Sequence, residues 1–138
     1  MKRPNILFCI SDDQTWTDFG FMEHPVVETP HIDELARQGA AVTRGYVPTA
    51  LCRPSLATIV TGLYAHQHGI TGNDPSIPTD AQGPAYWEEP LYRELNGRLQ
   101  ARIERAPTLP RLLGEQGYVS HQSGKWWEGS YRRGGFTA

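Results

Sequence analysis

The 138-residue chain is about one domain long and can bury a modest core. With 38% hydrophobic residues and a formal net charge of −2, it has no basic surplus that would mark nucleic acid or an anionic membrane as a partner. Its longest apolar run, Ile6–Ile10, is far too short to span a bilayer, and its two cysteines, Cys9 and Cys52, cannot build a disulfide framework.

The first five residues, Met1–Asn5, include two basic side chains but run straight into a strand-like segment. No signal-peptide apolar region or cleavage site is visible, so the cytoplasm is the default compartment unless an export signal lies upstream. Asn5–Ile10 suits a strand buried on both faces of a parallel sheet, with Cys9 in the core. It ends in Ser11-Asp12-Asp13. Ligands collect beyond the carboxyl ends of strands in open α/β sheets, and paired carboxylates there suit a hard divalent cation. A solvated turn in which Asp13 makes a local cap is the alternative reading.

Gln14–Glu28 has no sustained period and reads as a loop along the upper edge of the sheet. Thr29-Pro30 opens a helix, with Thr29 as N-cap and Pro30 at the first position. Ile32, Leu35 and Ala36 share a face and Gly39 ends the helix. Ala41–Val47 alternates well enough for a second strand. In Leu51–Gly69, Cys52 is placed just ahead of a helix with Pro54 in its first turn and Gly62 at its end. Free N–H groups and the positive dipole end favour a thiolate or bound anion there, although a lone cysteine in such a place is more often a packed or incidental residue.

His66 and His68 lie in a glycine-bounded turn, read as hydrogen-bonding residues because no companion ligands accompany them. Asn73–Gly83 reads as a loop, and Pro84–Arg105 as a polar stretch with a surface helix around Leu91–Ile103. Thr108–Gln116 predicts a helix with an apolar stripe of Leu109, Leu112 and Leu113, ended by Gly117. Tyr118–Gln122 is the expected third strand. Ser123–Trp127 turns out of it, so that Lys125 leaves the same end of the sheet as Asp12, Asp13 and Cys52. A surface lysine beside two aromatics is the plainer reading. The strand–helix order predicts an α/β fold with a parallel sheet.

Four segments in register carry a resemblance. They are Arg3-Pro4-Asn5-Ile6-Leu7 leading to Ser11-Asp12-Asp13; Thr29-Pro30-His31-Ile32-Asp33-Glu34-Leu35-Ala36; Cys52-Arg53-Pro54-Ser55 through Thr61-Gly62; and Gly124-Lys125-Trp126. Together they resemble the N-terminal part of the sulfatase family, within the alkaline-phosphatase-like superfamily, over nearly all of the chain except Gln82–Arg105. The resemblance implies a three-layer fold with a mostly parallel sheet, of which residues 1–138 form the incomplete N-terminal portion of a catalytic domain. It implies that Asp12 and Asp13 are ligands of an active-site calcium (magnesium being a second candidate), which residue 52 also meets. Cys52 would be converted by a formylglycine-generating enzyme to formylglycine, whose hydrate attacks the sulfur of a sulfate ester; its second hydroxyl then expels sulfate. Lys125 would hold the sulfate group. The implied substrate is a small sulfate ester or a sulfated glycan.

Two positions depart from the family pattern. The motif is C-x-P-x-R, and its last place here is Leu56, leaving Arg53 as the nearest guanidinium. The place after Gly-Lys-Trp, usually histidine, is Trp127. These departures support a rival reading as a degenerate member that binds sulfated glycans without turnover. A phosphoesterase using Ser55 or Thr58 as its hydroxyl is a further rival. Later metal ligands and basic residues of the family have no match, so the expectation is a fragment that is inactive alone and, with sheet edges uncovered, poorly soluble.

Overall fold

Proline marks where several helices of this chain begin, because its missing N–H falls where helices have unpaired donors. The computed structural model describes residues 3–78 and 85–138. Its helices are α1 (Pro30–Gln38), α2 (Cys52–Thr61), α3 (Ala65–His68), α4 (Pro90–Arg105) and α5 (Leu109–Glu115), with 3₁₀ turns at Gly20–Met22, Tyr86–Glu88 and Tyr131–Gly134. Pro30 and Pro90 are the first residues of α1 and α4, and Pro110 is the second of α5. None of the described helices is long and apolar enough to cross a membrane. The chain divides into two compact units, Met1–Tyr46 and Val47–Ala138.

In the first unit, α1 has the expected bounds, with Thr29 in the N-cap position and Gly39 after its last turn. The Thr29 side chain does not cap the helix, however. Its hydroxyl accepts the Gly20 N–H at 2.8 Å and donates to Asp33 Oδ1 at 2.6 Å. The same carboxylate oxygen accepts the Phe21 N–H at 3.0 Å, so the helix start organises the loop before it. A methyl group on Gly20 would lie 2.3 Å from Asp33 Oδ2, which explains glycine at that close approach. The apolar side of α1 is left uncovered: Ile32 and Leu35 are exposed.

The expected sheet is where sequence and structure part. Among the described residues no β-strand forms, and 5–10, 41–47 and 118–122 lie outside regular structure. A strand is completed by its neighbour's N–H and C=O groups, and apolar composition alone cannot supply them. Leu7 is 88% exposed, and Cys9, expected in the core, is exposed as well. Residues 118–122 come nearest to the expected strand. The Ala138 N–H donates to the Ser120 carbonyl at 3.1 Å, and the Ala138 carbonyl accepts the Gln122 N–H at 2.9 Å. One residue bonded to two positions flanking its neighbour is the pattern of a single parallel rung.

The second unit has a buried core of Ala57 and Val60 from α2, Ile70 and Ile103, with Trp126 and Phe136 packed against it. Trp126 and Phe136 meet edge to face, 5.5 Å between centroids. Helix α4 extends slightly beyond the expected Leu91–Ile103, and it is more than a surface helix, since Ile103 is fully buried. Thr108 precedes α5 and donates to the Gly134 carbonyl at 2.6 Å. Arg111 of α5 donates to the carbonyls of Ile103 and Ala106 at 2.9 and 2.7 Å and to that of Arg133, holding three segments together. The expected stripe on α5 is only partly covered, with Leu109 and Leu112 exposed. The Asn73–Gly83 loop is described as far as residue 78. Its remainder, with the start of the Pro84–Arg105 stretch and the Met1-Lys2 end, lies outside the described residues.

Candidate active site

Cys52 is the first residue of α2, one place further in than its sequence suggests, and Pro54 is the third. The difference is within the usual ambiguity of helix ends. The Cys52 side chain is partly buried, and the Arg53 N–H beside it is capped by Asn73 Oδ1 at 2.9 Å. Leu56 is half-buried on the same turn and brings no polar group.

Arg53 does not turn toward the place of the missing arginine. It is 1% exposed, with its guanidinium directed inward. Nε and Nη2 form a two-pronged pair with Glu128, both at 2.8 Å, and Nη1 donates to Asn96 Oδ1 at 2.8 Å and to the Asn73 carbonyl at 3.1 Å. Glu128 is likewise buried. The suggestion that Arg53 stands in for the motif arginine is thereby corrected: its donors are committed to a buried acid and two asparagines. Next to Asn73, Asp74 accepts hydrogen bonds from Tyr92 at 2.7 Å and Tyr86 at 3.3 Å. Burial and the Asp74 carboxylate push the Tyr92 phenol up to about 12, so it remains a donor at neutral pH.

Lys125 stands in the Gly124–Gly129 turn, three residues before Glu128. Its Nζ lies 5.6 Å from the centre of the Trp127 ring, within range of a cation–π contact. The Trp127 indole N–H is buried without an acceptor, whereas that of Trp126 donates to the Ser130 carbonyl at 3.0 Å. Thus the second unit holds Cys52 and Lys125, and a buried ion pair connects their segments. Asp12 and Asp13 belong to the first unit.

Asp12 and Asp13 are both exposed, and Asp13 has φ 53°, a left-handed conformation that aspartate tolerates better than most residues. Their carboxylates are the hard oxygen donors that calcium and magnesium prefer, so the donor chemistry fits. They make only part of a shell: among the described residues no group of three or more His, Cys, Asp or Glu side chains could hold a metal.

His68 is buried on α3. Its Nδ1 accepts the Ile70 N–H at 3.0 Å, so Nε2 carries the proton and donates to Thr58 Oγ1 at 3.1 Å. Burial holds its pKa below the ordinary 6.5. The hydrogen-bonding role read from the sequence is what the structure has for His68. A ring that donates to Thr58 cannot also take that hydroxyl's proton, so His68 is not a base for Thr58.

The sulfatase family model matches residues 4–138. The chain belongs to the sulfatase family. It is 30% identical over 125 residues to an N-acetylglucosamine-6-O-sulfatase of Bacteroides thetaiotaomicron, covering 91% of this chain and 18% of that protein. It is 34% identical over 126 residues to the human N-acetylgalactosamine-6-sulfatase, covering 91% and 22%, and 32% identical over 133 residues to bovine arylsulfatase A, covering 96% and 22%. The chain therefore spans about a fifth of the length of these relatives. No solved structure gives a significant match. As a sulfatase-family chain it holds residues that motif reading missed: Glu128, Asn73 and Asn96 carry no motif signal, and only the burial of Arg53 makes them partners.

Proposed function

We propose that the whole protein carrying this chain hydrolyses sulfate esters, with carbohydrates the favoured carriers, and that residues 1–138 are the front part of its catalytic domain. The observation that carries this reading is Cys52 at the N-terminus of α2, in a chain matched by the sulfatase family over residues 4–138. The names of the similar proteins, which include two hexosamine-6-sulfatases, support the carbohydrate assignment.

In this reading residue 52 would work as formylglycine, which supplies the oxygen nucleophile that a thiol lacks, and Asp12 and Asp13 would hold a divalent cation, whose chemistry is the stabilisation of negative charge. The chain's own contributions follow from its chemistry. The start of α2 favours negative charge at position 52. Lys125 offers a point cation to the sulfate group and balances charge as the ester bond breaks. Trp127, its ring centre 5.6 Å from Nζ, adds a cation–π contact to the ammonium.

The test is the mass of the tryptic peptide containing Cys52, from the whole protein co-expressed with a formylglycine-generating enzyme. Conversion of thiol to aldehyde is expected. An intact, alkylatable thiol would instead favour a second reading, a non-hydrolysing binder of sulfated glycans, for which the apolar Leu56 and Trp127 are the specific evidence.

A further inference from the structure

The turn bearing Lys125 has a glycine at each end. Gly124 has φ 96° and Gly129 has φ 73°, left-handed conformations that glycine adopts without strain. Two side chains of this segment are anchored. Trp126 packs on Phe136 and against Gly134, and Glu128 is buried in its two-pronged bond to Arg53. Arg53 adjoins Cys52 in the first turn of α2, and that turn is fixed again through Asn73, whose neighbour Asp74 is held by Tyr92 of α4. A buried ion pair is a poor choice for stability alone, since apolar side chains of similar volume often do as well. Its geometry, however, is directional in a way that apolar packing is not.

We propose that the Arg53–Glu128 pair is a positioning device, which holds Lys125 in register with Cys52 and so sets the fit of the site to a sulfate group. The role rests on the sulfatase reading above. It gives Arg53 a task different from that of the arginine expected at position 56: it acts through Glu128 on the Lys125 turn and touches no substrate.

The experiment uses the whole protein, matured as above, with two changes at the pair. The double variant Arg53→Met with Glu128→Leu removes both charges together, leaving neither stranded. Arg53→Lys keeps the charge but loses the planar fork. Amide exchange is followed in the peptide 123–130 and in α5, and kcat and KM are measured with an aryl sulfate ester, in the native and Lys125→Ala backgrounds.

The expected result for the double variant is faster exchange in 123–130 with α5 unchanged, and a kcat lowered about tenfold or more at equal aldehyde content. That loss should disappear when Lys125 is already alanine, and Arg53→Lys should fall between. Unchanged exchange in 123–130, exchange raised equally in α5, or a loss that multiplies with Lys125→Ala would overturn the proposal. If the native protein hydrolyses no sulfate ester, the functional reading fails, and the exchange data still decide whether the pair holds the turn.

Discussion

At the scale of single residues, the chain's chemistry turns on which charges are buried and which are exposed. Arg53 and Glu128 are both buried, so removing one strands the other in a medium that solvates it poorly. Glu128→Gln should therefore cost about 3–5 kcal/mol of stability in urea unfolding. Lys125 is exposed, and Lys125→Ala should leave stability within about 0.5 kcal/mol. The same change should lower kcat/KM for a sulfate ester by on the order of 10²–10³. His68 gives a pH signature. Its folded-state pKa lies below 6.5, so as pH falls the unfolded chain takes up the proton first. Stability should then be full above about pH 6.5 and decline below it. His68→Asn, which keeps an acceptor for the Ile70 N–H, should flatten that slope in a thermal-unfolding series.

At the scale of elements, the helices were legible because their signals are local. Proline at the start, a 3.6-residue apolar spacing and glycine after the last turn locate α1, α2 and α5 to within a residue or two. Strands were not legible in this way. The composition of 5–10 says what a strand there would be made of, but pairing depends on another segment, and among the described residues of the three expected strands it is 120–122 that meet one, at Thr137 and Ala138. Threonine shows the same limit: Thr29 and Thr108 occupy N-cap positions, yet each hydroxyl serves a loop distant in sequence. The junction of α5 with the chain's last turn makes a sharp prediction. Gly135 has φ 87°, and a methyl group there would come within 2.4 Å of Arg111 Cγ. Gly135→Ala should lower the unfolding free energy by about 1–3 kcal/mol, through strain and the loosening of Arg111 from its carbonyls.

At the scale of the whole molecule, the two units differ in burial. Every described residue of the first unit is at least partly exposed, whereas the second has a true core. Exposed Ile6, Leu7, Phe8 and Ile10 form an apolar run that other chains can pair with or cover. The isolated chain should sediment as concentration-dependent oligomers, and a charged substitution at Leu7 should reduce them. The metal assignment is tested on the whole protein. Asp13→Asn keeps a side chain that tolerates the left-handed backbone while removing the charge, so calcium binding by calorimetry should weaken with little change in stability. Cys52, Lys125 and the two aspartates could be nominated from motifs because motifs lie along the chain. The link from Arg53 to Glu128 spans 75 positions and could not.

That link also bears on descent. A buried guanidinium at the place after Cys52 makes sense only where an acid lies at the place of Glu128, so the two positions should be inherited as a couple. Among related chains, those with a neutral residue following the cysteine should have lost the acid too, through intermediates that first neutralise one charge and quickly the other. A lineage caught between the two changes would be recognisable by a less stable protein rather than by a different choice of ester.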